Sequence, residues 1–176
     1  MLASFDLPDG IVTHSRGVSR VAAEAARLLA AAGVEVDADL VAVAALLHDV
    51  DKQATREDPG QHGALAARWV TEGGWSELAA AIASHPIGCL LDPARAPHGW
   101  AARAVAVADR HVAQGFVSID ERIDEQAVRH PEFAADLDRA RVLAHAMQAE
   151  LAAAAGLTDE LLQARLRTAW EAEPSG

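Results

Sequence analysis

Leu40-Val41-Ala42-Val43-Ala44-Ala45-Leu46-Leu47-His48-Asp49-Val50-Asp51-Lys52 is a continuous apolar run that stops at a histidine, two aspartates and a lysine. Periodicity alone does not separate helix from strand in such a run. Its alanines, with Asp37 or Asp39 in front as an N-cap, decide for a helix reaching about Val50. A helix that is apolar all round is a buried one. His48 and Asp49 therefore fall at the inner end of a central helix, where a carboxylate is costly unless something pairs with it. Taken alone, the pair also fits a satisfied core histidine beside a helix-terminal aspartate.

The segments on either side supply further polar groups on apolar faces. Pro8 and Gly10 read as breakers in an irregular lead-in, before a helix from about Ile11 to Ala32 that Gly33 stops. Its stripe is Val18, Val21, Ala22, Ala25, Leu28 and Leu29, and His14 lies four residues before Val18 on the same stripe. After the central helix comes a polar loop ending in Pro59-Gly60. A helix over roughly residues 61–71 puts His62, Leu65, Ala66 and Trp69 on one face, and Gly73-Gly74 end it. The next, from Trp75 or Ser76 to His85, aligns Leu78, Ile82 and His85 before Pro86. Residues 87–98 read as a loop. A helix from Gly99 then aligns Ala102, Val105, Ala106 and Asp109.

Past Gly115 the chain changes character. Ser118-Ile119-Asp120-Glu121 is a capping box, Pro131 opens a long alanine-rich helix to about Ala155, and Thr158 caps a last one. Residues 116–173 carry mixed charge and read as helices packed on the same domain, with a homodimer surface among their uses. Pro174, Ser175 and Gly176 are expected to fray.

Composition agrees with an all-α domain. Of 176 residues, 51% are apolar and only 4% aromatic, with no tyrosine, so close helix contact through alanine suits the chain better than a sheet. The net charge of -11 argues against a nucleic-acid or anionic-membrane surface. It leaves room for an anionic small substrate where a metal dominates locally. Cys89 is the single cysteine, so no intrachain disulfide forms. With no signal-peptide pattern and no run long enough for a bilayer, the expectation is a cytoplasmic protein.

Any one of these polar residues has an ordinary explanation, but together they form a ligand set. Five helices each carry a histidine or aspartate inward: His14, His48 with Asp49, His62, His85 and Asp109. Four imidazoles and two carboxylates suit one or two divalent metal ions (Fe, Mn, Zn or Mg). His98, His130 and His145 read as solvent-facing. His111, two residues past Asp109, points elsewhere on its helix and at most reaches the site mouth. Arg16 and Arg110 neighbour the set and are candidates for phosphate binding or for solvent.

The order His14, His48-Asp49, Asp109, with Lys52 three residues after Asp49, resembles the HD superfamily of metal-dependent phosphohydrolases. The resemblance covers roughly residues 11–112 and implies a single-domain helical bundle with its metal core over residues 11–115. His62 and His85 resemble the extra ligands of its two-metal branch. Within that branch, His14-Ser15, His48-Asp49 with Lys52, His62-Gly63, His85 with Gly88, and Ala108-Asp109 are similar to the bacterial YqeK-like group. That group is associated with symmetrical hydrolysis of dinucleoside tetraphosphates. The chain departs from the group at Pro86-Ile87, where members tend to carry two threonines. A second departure is Arg110-His111-Val112-Ala113, where they carry an acidic, aromatic-rich segment.

The resemblance implies that His14, His48, Asp49 and Asp109 hold a first metal, and that Asp49 is shared with a second held by His62 and His85. A metal-activated water would then cleave a phosphoester or phosphoanhydride bond of a nucleotide or dinucleoside polyphosphate, so the expected partner is a nucleotide or other phosphorylated small molecule. Asp49 and Lys52 are the expected catalytic residues, Lys52 as a cation for phosphoryl charge or, more plainly, a favourable charge at a helix end. Two other functions use the same residues: a mixed-valent di-iron oxygenase of HD type, and a non-catalytic HD nucleotide sensor.

Overall fold

Helix-forming runs punctuated by glycine and proline become eight α-helices in the computed structural model, which describes residues 5–172. They are α1 Asp9–Ala31, α2 Ala38–Leu47, α3 Ala64–Glu72, α4 Ser76–Ser84, α5 Gly99–His111, α6 Ile119–Arg129, α7 Ala134–Ala154 and α8 Asp159–Glu171. Short 3₁₀ turns stand at Pro59–Gln61, Ile87–Leu91 and Pro131–Phe133. Among the described residues there is no β-strand, only an isolated antiparallel bridge from Val112 to Phe116. The fold class is all-α. The expected fraying of Pro174, Ser175 and Gly176 lies outside the described residues.

Small residues let the helices approach closely. α1 packs along α2, α5 and α8, and α4 against α2, α3 and α5. Ala22, Ala25 and Ala26 of α1, Ala44 and Ala45 of α2, and Ala104 and Ala108 of α5 are all fully buried, with Leu29, Leu47, Leu78 and Ile82 as the large fillers. Gly17 marks a close approach: a Cβ there would lie 3.1 Å from Val112 and 3.3 Å from the Trp170 indole nitrogen. That contact seats α8 on α1.

The central apolar core reaches into the C-terminal helices. Met147, Leu151 and Ala152 of α7 and Leu162 and Leu166 of α8 belong to it. A smaller cluster of Ile119, Ile123, Leu137 and Ala144 joins α6 to the first half of α7. Both halves of the Ser118–Glu121 capping box are formed, and the Thr158 side chain accepts from the Leu161 amide to cap α8. Among the described residues, no helix is long and apolar enough to cross a membrane.

The elements differ from the sequence reading at several ends. α1 begins at Asp9, so Gly10 is inside its first turn and Pro8, not Gly10, ends the lead-in. A first-turn residue has no intrahelical N–H bond to lose, which removes much of the objection to glycine there. α2 stops at Leu47 rather than Val50. α3 starts at Ala64 rather than at residue 61, because Gly63 adopts φ +80°. The 87–98 segment is not all loop, since residues 87–91 wind into a 3₁₀ turn.

Candidate metal centre

The site forms where α2 ends. The Asp37 carboxylate starts that helix by accepting from the amides of Asp39 and Leu40. At its other end the bonds shorten to three-residue spacing, Val50 N–H to Leu47 O and Lys52 N–H to Asp49 O. His48 and Asp49 are held in this tightened turn with 0% and 1% exposure. α1 contributes His14, α5 contributes Asp109, and His85 is the residue that ends α4.

His62 arrives by a different route from the one its spacing suggested. It lies in the turn before α3, not on the helix. Asp51, which lies on no apolar stripe of the sequence, fixes that turn. It is fully buried. One oxygen accepts from His62 Nδ1 at 2.8 Å, and the other accepts from the amides of Gly63 (2.8 Å) and Ala66 (3.0 Å). Gly63 is required twice over, for its positive φ and because a Cβ would lie 3.1 Å from the carbonyl oxygens of Ile82 and Ala83.

Four imidazoles then stand in a row, His14, His48, His85 and His62, with successive ring centroids 5.2, 4.7 and 4.8 Å apart. All four turn Nε2 towards the two buried carboxylates. His14 Nε2 is 3.1 Å from Asp109 and 3.6 Å from Asp49. His48 Nε2 is 3.5 Å from Asp49 and 3.7 Å from Asp109. His62 and His85 approach the same Asp49 Oδ1 at 3.3 and 3.6 Å.

The far side settles the tautomer of three of the rings. His48 Nδ1 donates to the Ala45 carbonyl and His85 Nδ1 to the Ile82 carbonyl, both at 2.6 Å. A carbonyl only accepts, as does the Asp51 carboxylate facing His62, so Nδ1 carries hydrogen in all three rings. In the neutral rings this leaves the Nε2 lone pairs aimed inward, the arrangement in which histidine ligates metals. His14 Nε2 and His48 Nε2 are buried without a hydrogen-bond partner, although carboxylate oxygens are close by. At His14 and His48 the geometry suits donors arranged around a cation, while the Nε2 atoms of His62 and His85 stand 3.2 Å apart.

Protonation follows from the same crowding. Burial opposes ionisation of Asp49, but the histidines and Lys52 around it hold its carboxyl well below the usual range. Burial likewise opposes ionisation of Asp109, which Arg110, His14 and His48 more than offset. Burial lowers His62, yet Asp49 and Asp51 raise it to about 9. Burial dominates at His85 and takes it down to about 4, aided by the neighbouring His48 and His62. Metal and protons compete for the same Nε2 positions, so metal binding releases protons.

Among the described residues, three overlapping groups could hold a metal ion: His14 with His48 and Asp49; His48 with His85 and Asp109; and Asp49 with His62 and His85. In each, the donor atoms lie within 4.8 Å of one another. Imidazole and carboxylate donors without sulfur suit a divalent metal ion, and the orphaned Nε2 atoms of His14 and His48 show that the residues fit such an ion.

The remaining candidates divide. Lys52 Nζ donates to Asp49 Oδ2 at 2.6 Å while its side chain stays 45% exposed, so it bridges the site and solvent. Arg110 faces neither solvent nor an open phosphate site: it is 3% exposed and pairs with Asp109 Oδ2. Arg16 is exposed. His111 does not reach the site mouth. Its Nδ1 donates to the Val117 carbonyl at 2.8 Å, and its Nε2 meets the Gln148 side-chain amide at 2.5 Å, in the core between α5 and α7. His98 and His130 are exposed, and His145 is half-buried against Asp120.

Comparison with known proteins agrees with this arrangement. An uncharacterized protein of Methanocaldococcus jannaschii is 36% identical over 80 residues. The aligned part is 46% of this chain and 46% of that protein, so the match spans about half the length of this relative. No solved structure matches the chain significantly. The family model described as the HD domain matches residues 11–114, from the first turn of α1 to just past α5. That span is more than half of the 176 residues and contains every histidine and aspartate of the cluster, and the chain belongs to the HD domain family, all-α proteins that bind divalent metals.

Proposed function

We propose that this protein is a two-metal phosphohydrolase that cleaves a phosphoester or phosphoanhydride bond of a nucleotide or dinucleoside polyphosphate. The observation that carries the reading is the convergence of four imidazole Nε2 atoms on Asp49 and Asp109, with three of the rings locked from behind. His14, His48, Asp49 and Asp109 would hold one ion, and Asp49, His62 and His85 the other. Bound there, divalent metals lower the pKa of a water and offset the charge on the phosphoryl oxygens.

The chain's own residues supply orientation and charge. Asp51 keeps His62 in the ligating tautomer. Arg110 holds one oxygen of Asp109, which leaves the other facing His14 and His48. Lys52 lies beside Asp49 in a pocket of about 160 Å³ that opens over His14 and Asp49. A protonated lysine has no lone pair with which to ligate, so its part is to stabilise charge on a substrate phosphoryl group. The dinucleoside polyphosphate end of the proposal rests on the motif spacing shared with the YqeK-like group, from which Pro86 and Ile87 depart.

Metal analysis of purified protein, followed by a hydrolysis panel of mononucleotides and dinucleoside tetraphosphates with Fe, Mn, Zn and Mg, tests the reading. Two equivalents of metal and release of phosphate or nucleotide are expected. Lys52→Ala should retain metal and lose up to about 10²-fold in turnover, because its ammonium is partly solvated. Oxygen consumption with no phosphohydrolysis would replace the proposal with the di-iron oxygenase.

A further inference from the structure

The pocket over His14, Asp49 and Lys52 has a second wall that comes from outside the family match. α6 places Arg122, Glu125 and Arg129 in it. The spacing of three and four residues puts all three on one face of the helix. Hydrophobic seating explains the rest of α6, since Ile119 and Ile123 are its fully buried contacts. It does not explain an arginine that is only 9% exposed in the wall of an acidic metal site.

Arg122 is incompletely paired. Nη1 donates to Glu125 Oε2 at 3.2 Å, but Nε is buried with no hydrogen-bond partner. A buried guanidinium donor without an acceptor is costly. Arg129 Nη2 donates to the other Glu125 oxygen at 2.5 Å, so one carboxylate spans both guanidinium groups and fixes them side by side. Two arginines against one glutamate leave a surplus positive charge, with the Lys52 ammonium lining the same pocket. Planar guanidinium edges with free N–H groups match phosphate oxygens.

We propose that Arg122 and Arg129 bind a phosphoryl group of the substrate other than the one being cleaved, with Glu125 as the brace that orients them. This rests on the phosphohydrolase reading for its substrate, but the anion site itself does not need the reaction. It gives α6 a part in selectivity: a substrate with two or more linked phosphoryl groups spans from the metal centre to α6, and a single phosphoryl ester does not.

The test uses the metal-loaded full chain with Arg122→Gln and Arg129→Ala. The second replaces a residue whose side chain is 57% exposed, so it guards against misfolding of the first. Binding of inorganic tripolyphosphate and of orthophosphate is measured by calorimetry. Both variants are expected to weaken tripolyphosphate about tenfold or more, the scale of one lost charged hydrogen bond, and orthophosphate much less. In turnover, the ratio of kcat/KM for the multiphosphoryl substrate to that for p-nitrophenyl phosphate should fall by a similar factor, mainly through KM. Equal losses on both anions, or unchanged tripolyphosphate binding in both variants, would overturn the α6 site. If the wild type cleaves neither substrate yet both variants lose tripolyphosphate, the function proposal fails and the anion site stands.

Discussion

Asp49, Asp51 and Asp109 are 1%, 0% and 4% exposed around the end of α2 and on α5, whereas the side chains of Asp120, Asp124 and Asp138 on α6 and α7 are 54%, 69% and 74% exposed. Each region gathers three carboxylates around basic partners, histidines in the first and Arg141 in the second. Burial makes the difference. Exposed pairs trade water for protein at little net gain, while a buried charge costs several kcal/mol unless surrounded by compensating groups. The inner set therefore points to chemistry, and the outer set to a solvated seam between two helices.

Asp49→Ala is the most severe way to break the comparison. Asp49 faces His14, His48, His62, His85 and Lys52, and its removal takes a donor from two of the three candidate metal groups. Helical content by circular dichroism should persist, because the apolar residues from Leu40 to Leu47 are untouched. Metal binding and hydrolysis should both be lost. Retention of both would mean that the buried carboxylate is only a core ion pair.

Asp51→Asn sharpens the comparison within the buried set. An amide has one acceptor oxygen, and the two backbone donors of Gly63 and Ala66 claim it. The amide nitrogen then faces His62 Nδ1 and favours the other tautomer, which places hydrogen on Nε2. Loss of such a supporting partner typically lowers metal affinity by about 10–100-fold. The loss should fall on one equivalent of metal, leaving the ion at His14, His48 and Asp109 nearly as tight. A titration in which both equivalents weaken alike would show that the ions do not divide as proposed.

Gln148→Leu asks whether burial alone makes a histidine functional. His111 is as buried as His48, but its partners are a carbonyl and an amide rather than carboxylates. Deleting the amide leaves Nε2 unsatisfied, so the variant should lose about 1–3 kcal/mol of stability in a denaturant melt. Metal content and turnover should not change. A large fall in turnover at constant metal would tie His111 to Asp109, two residues away.

The parts of this site that follow a helical period were legible in the chain. His14, Asp109 and His85 could be placed inward because they continue apolar stripes, and His48-Asp49 because an apolar run ends on them. Asp51 sits in a tightened turn with no period to read, and its work is done by backbone amides twelve and fifteen residues on. Its only local sign was a second aspartate inside His48-Asp49-Val50-Asp51-Lys52. His62 precedes the helix that its spacing suggests, since the spacing to Leu65 and Trp69 says nothing about Gly63 breaking the run. In the sequence Arg122 is one more charge among the mixed charges of residues 116–173. Its position in the pocket depends on how Ile119 and Ile123 seat α6, which is tertiary information.

Arg141→Ala should have the smallest effect. Arg141 reaches from α7 to α6, with Nη1 on Asp120 at 2.9 Å, Nη2 on Asp124 at 2.5 Å, and Asp138 at 3.7 Å on its own helix. Three acidic partners make it look important. Yet every partner is more than half exposed, so water already screens each interaction, and single pairs of this kind contribute about 0.2–1 kcal/mol. The arginine also relieves repulsion among three neighbouring carboxylates, which argues for the upper part of that range and for a salt-dependent effect. A loss near 1 kcal/mol at low salt that shrinks in molar salt is expected, with metal content unchanged. The apolar contacts of Ile119, Ile123, Leu137 and Ala144 are left to hold α6 on α7. A loss above about 2 kcal/mol that salt does not reduce would show that this seam acts as a buried network does, and the contrast between the two regions would fail.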